Sequence, residues 1–141
     1  MKIRRKARET ALQILYKMDI AGTWSDCGAD MEALAPGTEA RRYCESLVSG
    51  VQAEIDSIDA AIEEHSENWK VDRMAVVDRN ILRVAVYELR SRPDVPYKVI
   101  IDEAVELAKR YGSEDSGPFI NGIIDRVGKA LQEKQPALRI K

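Results

Sequence analysis

The sequence predicts an all-α protein of about seven helices. Two observations carry this: apolar residues recur at threes and fours in nearly every segment between glycines and prolines, and no segment sustains the two-residue alternation of a half-buried strand. Short connectors then favour a compact bundle. The 141 residues, 45% hydrophobic and 33% charged, can bury roughly two thirds of their unfolded surface as a single domain spanning 1–141.

The elements follow in order. From Ile3 to Ala21, the residues Ala7, Ala11, Ile14, Leu15 and Met18 share one face at about 100° per residue. The stretch from Gly22 to Gly37, GTWSDCGADMEALAPG, reads as one short helix between loops. Thr38 can cap a long segment in which Tyr43, Leu47, Val51, Ile55, Ile58 and Ile62 recur at helical spacing, interrupted near Gly50. It forms two helices or one that bends. Asp72 precedes the stripe Met74, Val77, Ile81, Val84, Ala85 and Leu89, which stops before the RPDVP turn because proline lacks an amide and disfavours a helical residue before it. Pro96 suits the first turn of a helix from about Tyr97 to Tyr111, Gly112 its left-handed cap, and a last helix runs from about Gly117 to Gln132.

A formal charge of −2 conceals an asymmetry. Residues 2 to 8 hold Lys2, Arg4, Arg5, Lys6 and Arg8 without an acid, whereas residues 26 to 67 hold eleven carboxylates against Arg41 and Arg42. One end is suited to meet an anion. No apolar run approaches the roughly 18 residues of a membrane span, and the start lacks a signal-peptide core, so a cytoplasmic protein is expected. Cys27 and Cys44 form no CxxC and His65 is the sole histidine, which points to neither a disulfide framework nor a zinc site. No cofactor pattern is present, and Glu63-Glu64-His65 reads as a solvated helix end. With no Gly-rich phosphate loop and no nucleophile beside a base, an enzyme is not expected.

The stretch GSEDSGPFINGI, Gly112 to Ile123, holds the one phenylalanine of the chain. Ile120, Ile123, Ile124, Val127 and Leu131 define the buried face of the last helix, and Phe119 falls about 80° from its centre, a flank position. Asn121 points away from the core. Ser116 or Asp115 can cap the helix, with amides near Phe119 left as donors for phosphate. An aromatic face beside such donors suits an unstacked nucleotide. Taken alone, Phe119 reads more readily as closing the edge of the core, and Gly117-Pro118 as merely starting a helix.

Three blocks, RRKARETALQILY, VVDRNILRVAVYEL and DVPYKVIIDEAVELAKRYGSEDSGPFINGIIDRV, together resemble the NusB family of transcription antitermination factors, leaving out mainly residues 22 to 42 and the last ten or so. The resemblance implies two small helical bundles packed together. It implies binding of boxA single-stranded RNA in nascent transcripts, best as a heterodimer with the ribosomal protein NusE, so that RNA polymerase continues past terminators in ribosomal RNA operons.

Particular residues follow from the resemblance. RNA contact carries over to Arg4, Arg5, Lys6 and Arg8, and to Asp115, Ser116, Phe119 and Asn121, with Phe119 as stacking platform. Contact with NusE carries over to Tyr16, Asp72 and Asp78. Helical geometry agrees for Tyr16, about 160° from the core stripe of its helix and beside Leu12 and Ile20, a face that could also serve a homodimer. Gly117-Pro118 departs from relatives with basic or polar residues there, so phosphate contact would pass to backbone amides or to Lys109 and Arg110. Two other readings stay open: an accessory domain like that of RNA cytosine methyltransferases, and a protein-binding helical module with no RNA role.

Overall fold

The helix Val76–Ser91 has Asn80, Ile81, Leu82, Arg83, Val84, Ala85, Val86, Glu88 and Leu89 buried. An unbroken run of buried residues covers every face of a helix, so partners must surround it. A computed structural model describing residues 2–23, 34–67 and 69–134 supplies them. In it α1 spans Lys2–Ala21, α2 Glu39–Ala53, α3 Ile55–Glu64, α4 Val76–Ser91, α5 Tyr97–Tyr111 and α6 Ser116–Lys134, with a 3-10 turn at Val71–Arg73. α4 packs against all five other helices, α1 pairs extensively with α2, and α5 with α6. The described residues are thus all-helical, with six α-helices and one 3-10 turn where about seven helices were expected. Residues 24–33, including Cys27, lie outside the description.

The expected core stripe of α1 is buried, and so is Leu12, at 3% exposure, although it was expected on the outer face beside Tyr16. Thr38 caps α2 as expected, its hydroxyl accepting from the Arg41 amide at 3.3 Å. The break expected near Gly50 falls instead at Glu54, between α2 and α3. Gly50 is required for a different reason. An added Cβ would collide with the Tyr87 ring, so α2 lays bare backbone against α4 there.

Two further junctions differ from expectation. Pro96 stands one residue before α5, with extended backbone (φ −60°, ψ 143°), where its missing amide is equally harmless. Gly112 is not left-handed, at φ −99°. What requires glycine is space, since a Cβ would press on the Ser116 side chain and the Ala108 carbonyl.

A polar hub fixes α1 against α4. Asp19 accepts from Arg79 Nε and Nη2, both at 2.7 Å, from Asn80 Nδ2 at 2.9 Å and from Arg83 Nη1 at 3.0 Å. Arg83 also grips Asp59 of α3 through two bonds of 2.9 Å. Burial pushes the Asp19 carboxyl upward, but hydrogen bonds from Arg79 and Asn80 and the charges of Arg79 and Arg83 hold it below its ordinary value. A carboxyl held down in the fold stabilises it above its unfolded pKa, about 3.9, and that contribution disappears as pH falls through the folded value. Asp19→Ala is therefore expected to cost about 3–5 kcal/mol at neutral pH, because Arg79 and Arg83 lose a shared counter-ion. Urea titrations should show this cost shrinking as pH drops below about 4.

Candidate nucleic-acid interface

The basic start of α1 does not present its charges uniformly. Arg8 is 4% exposed. Its Nε and Nη2 each donate to the Glu88 carboxylate at 2.8 Å, and the Tyr43 hydroxyl donates to the same group at 2.5 Å. Burial pulls the Arg8 guanidinium down, yet Glu88 and Tyr43 carry it above its ordinary value. Burial and Glu88 together push the Tyr43 phenol upward. The family resemblance groups Arg8 with its neighbours as an RNA contact. Its placement makes it the counter-ion of an interior acid.

The remaining cations lie outward but are mostly engaged. Arg5 donates to both Glu103 oxygens, at 3.1 and 2.7 Å, and these bonds hold the Glu103 carboxyl below its usual range. Arg4 lies 3.4 Å from Asp94 and 4.7 Å from the centroid of the Tyr43 ring. Arg92 approaches the same ring at 4.8 Å. Lys6 is exposed.

At the opposite end of α5, Gly112 leads into the N-terminus of α6. Ser116 is 2% exposed; its hydroxyl accepts from the Ser113 amide at 3.0 Å and donates to Asp78 Oδ1 at 2.7 Å. Two residues that the resemblance assigns to different surfaces, Ser116 for RNA and Asp78 for NusE, thus touch. Phe119 is half-buried, while Asp115 and Asn121 are exposed. The amide donors expected here are largely spent. Ser116 N bonds Ser113 O, Phe119 N bonds Asp115 O, and Pro118 has no N–H, which leaves at most the amide of the buried Gly117 in the first turn. Lys109 and Arg110 are paired with Glu106 and Glu9.

Trp69, which the sequence pattern did not single out, is 54% exposed and lines two clefts together with Phe119, of about 230 and 290 Å³. Its signal was available: a tryptophan in the polar run SENWKVD belongs to no apolar stripe. The pairs Arg5–Glu103 and Arg110–Glu9 show α1 and α5 running in the same direction. This seam, about 10 Å from Glu103 to Arg110 along the helix, leads from the basic start toward the Phe119 end. Among the described residues, Arg4, Arg5 and Lys6 make no hydrogen bond or ion pair with the residues around Phe119.

The NusB family profile matches residues 5–129. The chain belongs to the NusB family. It is 45% identical to the transcription antitermination protein NusB of Myxococcus xanthus, over 94% of this chain and 99% of that one. Against its counterpart in Anaeromyxobacter dehalogenans the identity is 49%, over 91% and 92%. T. maritima NusB superposes with a TM-score of 0.81 at 37% identity, covering 89% of this chain and 90% of that one. A chain from the crystal structure of antitermination factors NusB and NusE in complex with dsRNA gives 0.78 at 32% identity, covering 92% and 98%.

On this NusB fold the protein-contact candidates separate. Tyr16, 39% exposed, lines a groove of about 440 Å³ with Gln13, Lys17, Val77 and Tyr111, and Ile20 is 62% exposed. Asp72 instead borders a cleft of about 600 Å³ beside Asp59, Lys70 and Arg79. In the run Glu63-Glu64-His65, Glu63 accepts the Val71 amide at 2.8 Å and His65 Nδ1 lies 3.0 Å from Ala61 O, so two of these three polar residues bind backbone. No cluster of three metal-ligating side chains occurs among the described residues, and none of their helices is long and apolar enough to cross a membrane. Arg8→Ala is expected to cost about 3–5 kcal/mol of stability by stranding Glu88, and Arg5→Ala far less, because its pair with Glu103 is exposed to solvent. Paired urea titrations would measure the difference.

Proposed function

We propose that this NusB-family chain is a transcription antitermination factor that binds boxA-type single-stranded RNA in nascent ribosomal RNA transcripts. It works as a heterodimer with NusE and helps the RNA polymerase elongation complex remain processive. It acts by assembly rather than by catalysis. The observation that carries the reading is the half-buried Phe119 at the start of α6, an aromatic flank held by the Ser116–Asp78 bond in a fold whose relatives are named antitermination proteins. The likeness to a chain solved with NusE and dsRNA supports the choice of partners.

Phosphate contacts position a strand, whereas stacking and base-edge hydrogen bonds select sequence. With Arg8 turned inward, Arg4, Arg5 and Lys6 remain as phosphate ligands at the start of α1. Arg4 and Arg5 must exchange Asp94 and Glu103 for phosphate, which makes binding by this chain alone weak. Phe119 stacks a base, exposed Asn121 reads a base edge, and Ser116 holds the tip in place. The charge of Asp115 opposes phosphate and limits affinity until NusE adds contacts. NusE docks on the Tyr16 face, for which a second copy of this chain would compete.

Three engaged cations predict about a twentyfold loss of affinity between 50 and 200 mM salt. Phe119→Ala should reduce the preference for boxA over scrambled RNA in fluorescence anisotropy; equal losses on both would remove its role in specificity. Asp115→Asn should tighten binding of RNA to the protein without NusE, and a gel-shift titration showing unchanged or weaker affinity would refute the proposed restraint.

A further inference from the structure

A base stacked on Phe119 uses one ring, yet the structure offers a second beside it. Trp69, between α3 and the 3-10 turn, borders the same two clefts as Phe119. At about 230 and 290 Å³, each is smaller than the roughly 300 Å³ at which pockets for drug-sized ligands begin. Such clefts suit a single flat ring.

Each cleft also carries a guanidinium with unused donors. Arg73, at the edge of the first, is exposed and has no ion pair or side-chain hydrogen bond among the described residues. Arg126, at the edge of the second, donates Nε to the His65 carbonyl at 2.9 Å. That bond fixes the plane of the fork and leaves the terminal nitrogens lying over Gly122, 3.7 and 4.0 Å from where a Cβ would stand. Arg4, Arg5 and Arg8 by contrast are each held by carboxylates. Of the acids at the clefts, Asp78 is engaged by Ser116, while Asp115 and Glu67 are exposed acceptors available to base amino groups.

We propose that Trp69 is a second stacking face of the RNA site, holding an unstacked base beside the one on Phe119, with Arg126 and Arg73 taking the flanking phosphates. This rests on the RNA-binding reading above. Aromatic faces between unpaired guanidiniums match a single strand, whose bases stack and whose backbone is anionic. A protein partner would gain little from donors placed for phosphate.

The test uses the full chain carrying Trp24→Phe, which leaves Trp69 as its sole tryptophan, and a fluorescein-labelled boxA single strand. RNA should quench Trp69 emission. Trp69→Ala should weaken binding by about tenfold in anisotropy titrations, with Trp69→Phe restoring most of it. Arg126→Gln should make the slope of log affinity against log salt shallower by about 0.7. Trp69 is a surface residue, so thermal unfolding should show the variants folded. If the parent binds RNA while Trp69→Ala binds equally well, the proposal fails and the RNA reading stands. If the parent binds no RNA either alone or with NusE added, both fail. If Trp69→Ala leaves RNA affinity intact but abolishes assembly with NusE, the patch is a protein dock and the proposal is overturned.

Discussion

The buried Glu88 carboxylate organises one end of the molecule. At 1% exposure it would be prohibitive without partners, because an unpaired charge in the interior costs several kcal/mol. Arg8 from α1 and Tyr43 from α2 meet it, so one acid on α4 binds three helices together. The rest of the basic segment follows from helical geometry. Arg4 lies one turn before Arg8 on the same face and settles on the Tyr43 ring, while Arg5 and Lys6, about 100° and 200° round the helix, turn outward.

Asp19 does the complementary work at the other end of α1. That helix gives a base to the C-terminal part of α4, at Glu88, and an acid to the N-terminal part, at Arg79, Asn80 and Arg83. Two hubs of opposite polarity define both the antiparallel direction of the pair and its register. A slip of one turn would leave two buried charges unmatched. Since Asp78 sits beside the second hub and bonds Ser116, the position of the Phe119 tip is inherited from this register.

Most of the fold was legible because the stripes of α1, α2, α3, α4 and α6 repeat cleanly in sequence, while Pro96 and Gly112 bracket α5. The site was legible in part. Phe119 stood out by its angle from the core stripe, but nothing local distinguishes Arg8 from Arg5: the difference is Glu88, eighty residues away. The Ser116–Asp78 bond is equally remote in sequence. Spent amides at the start of α6 depend on how the preceding turn closes, which residue types alone do not specify. Gly112 is a required glycine, but for a reason other than the expected one, since crowding and left-handed backbone leave the same mark on a sequence.

The contact between Gly50 and Tyr87 joins two positions that are far apart in the chain and adjacent in the core. A methyl group gained at one must be matched by a smaller ring or side chain at the other, so neither site can drift on its own. Their histories should therefore be correlated: lineages that abandon the tyrosine become free to lose the glycine, and those that retain it do not.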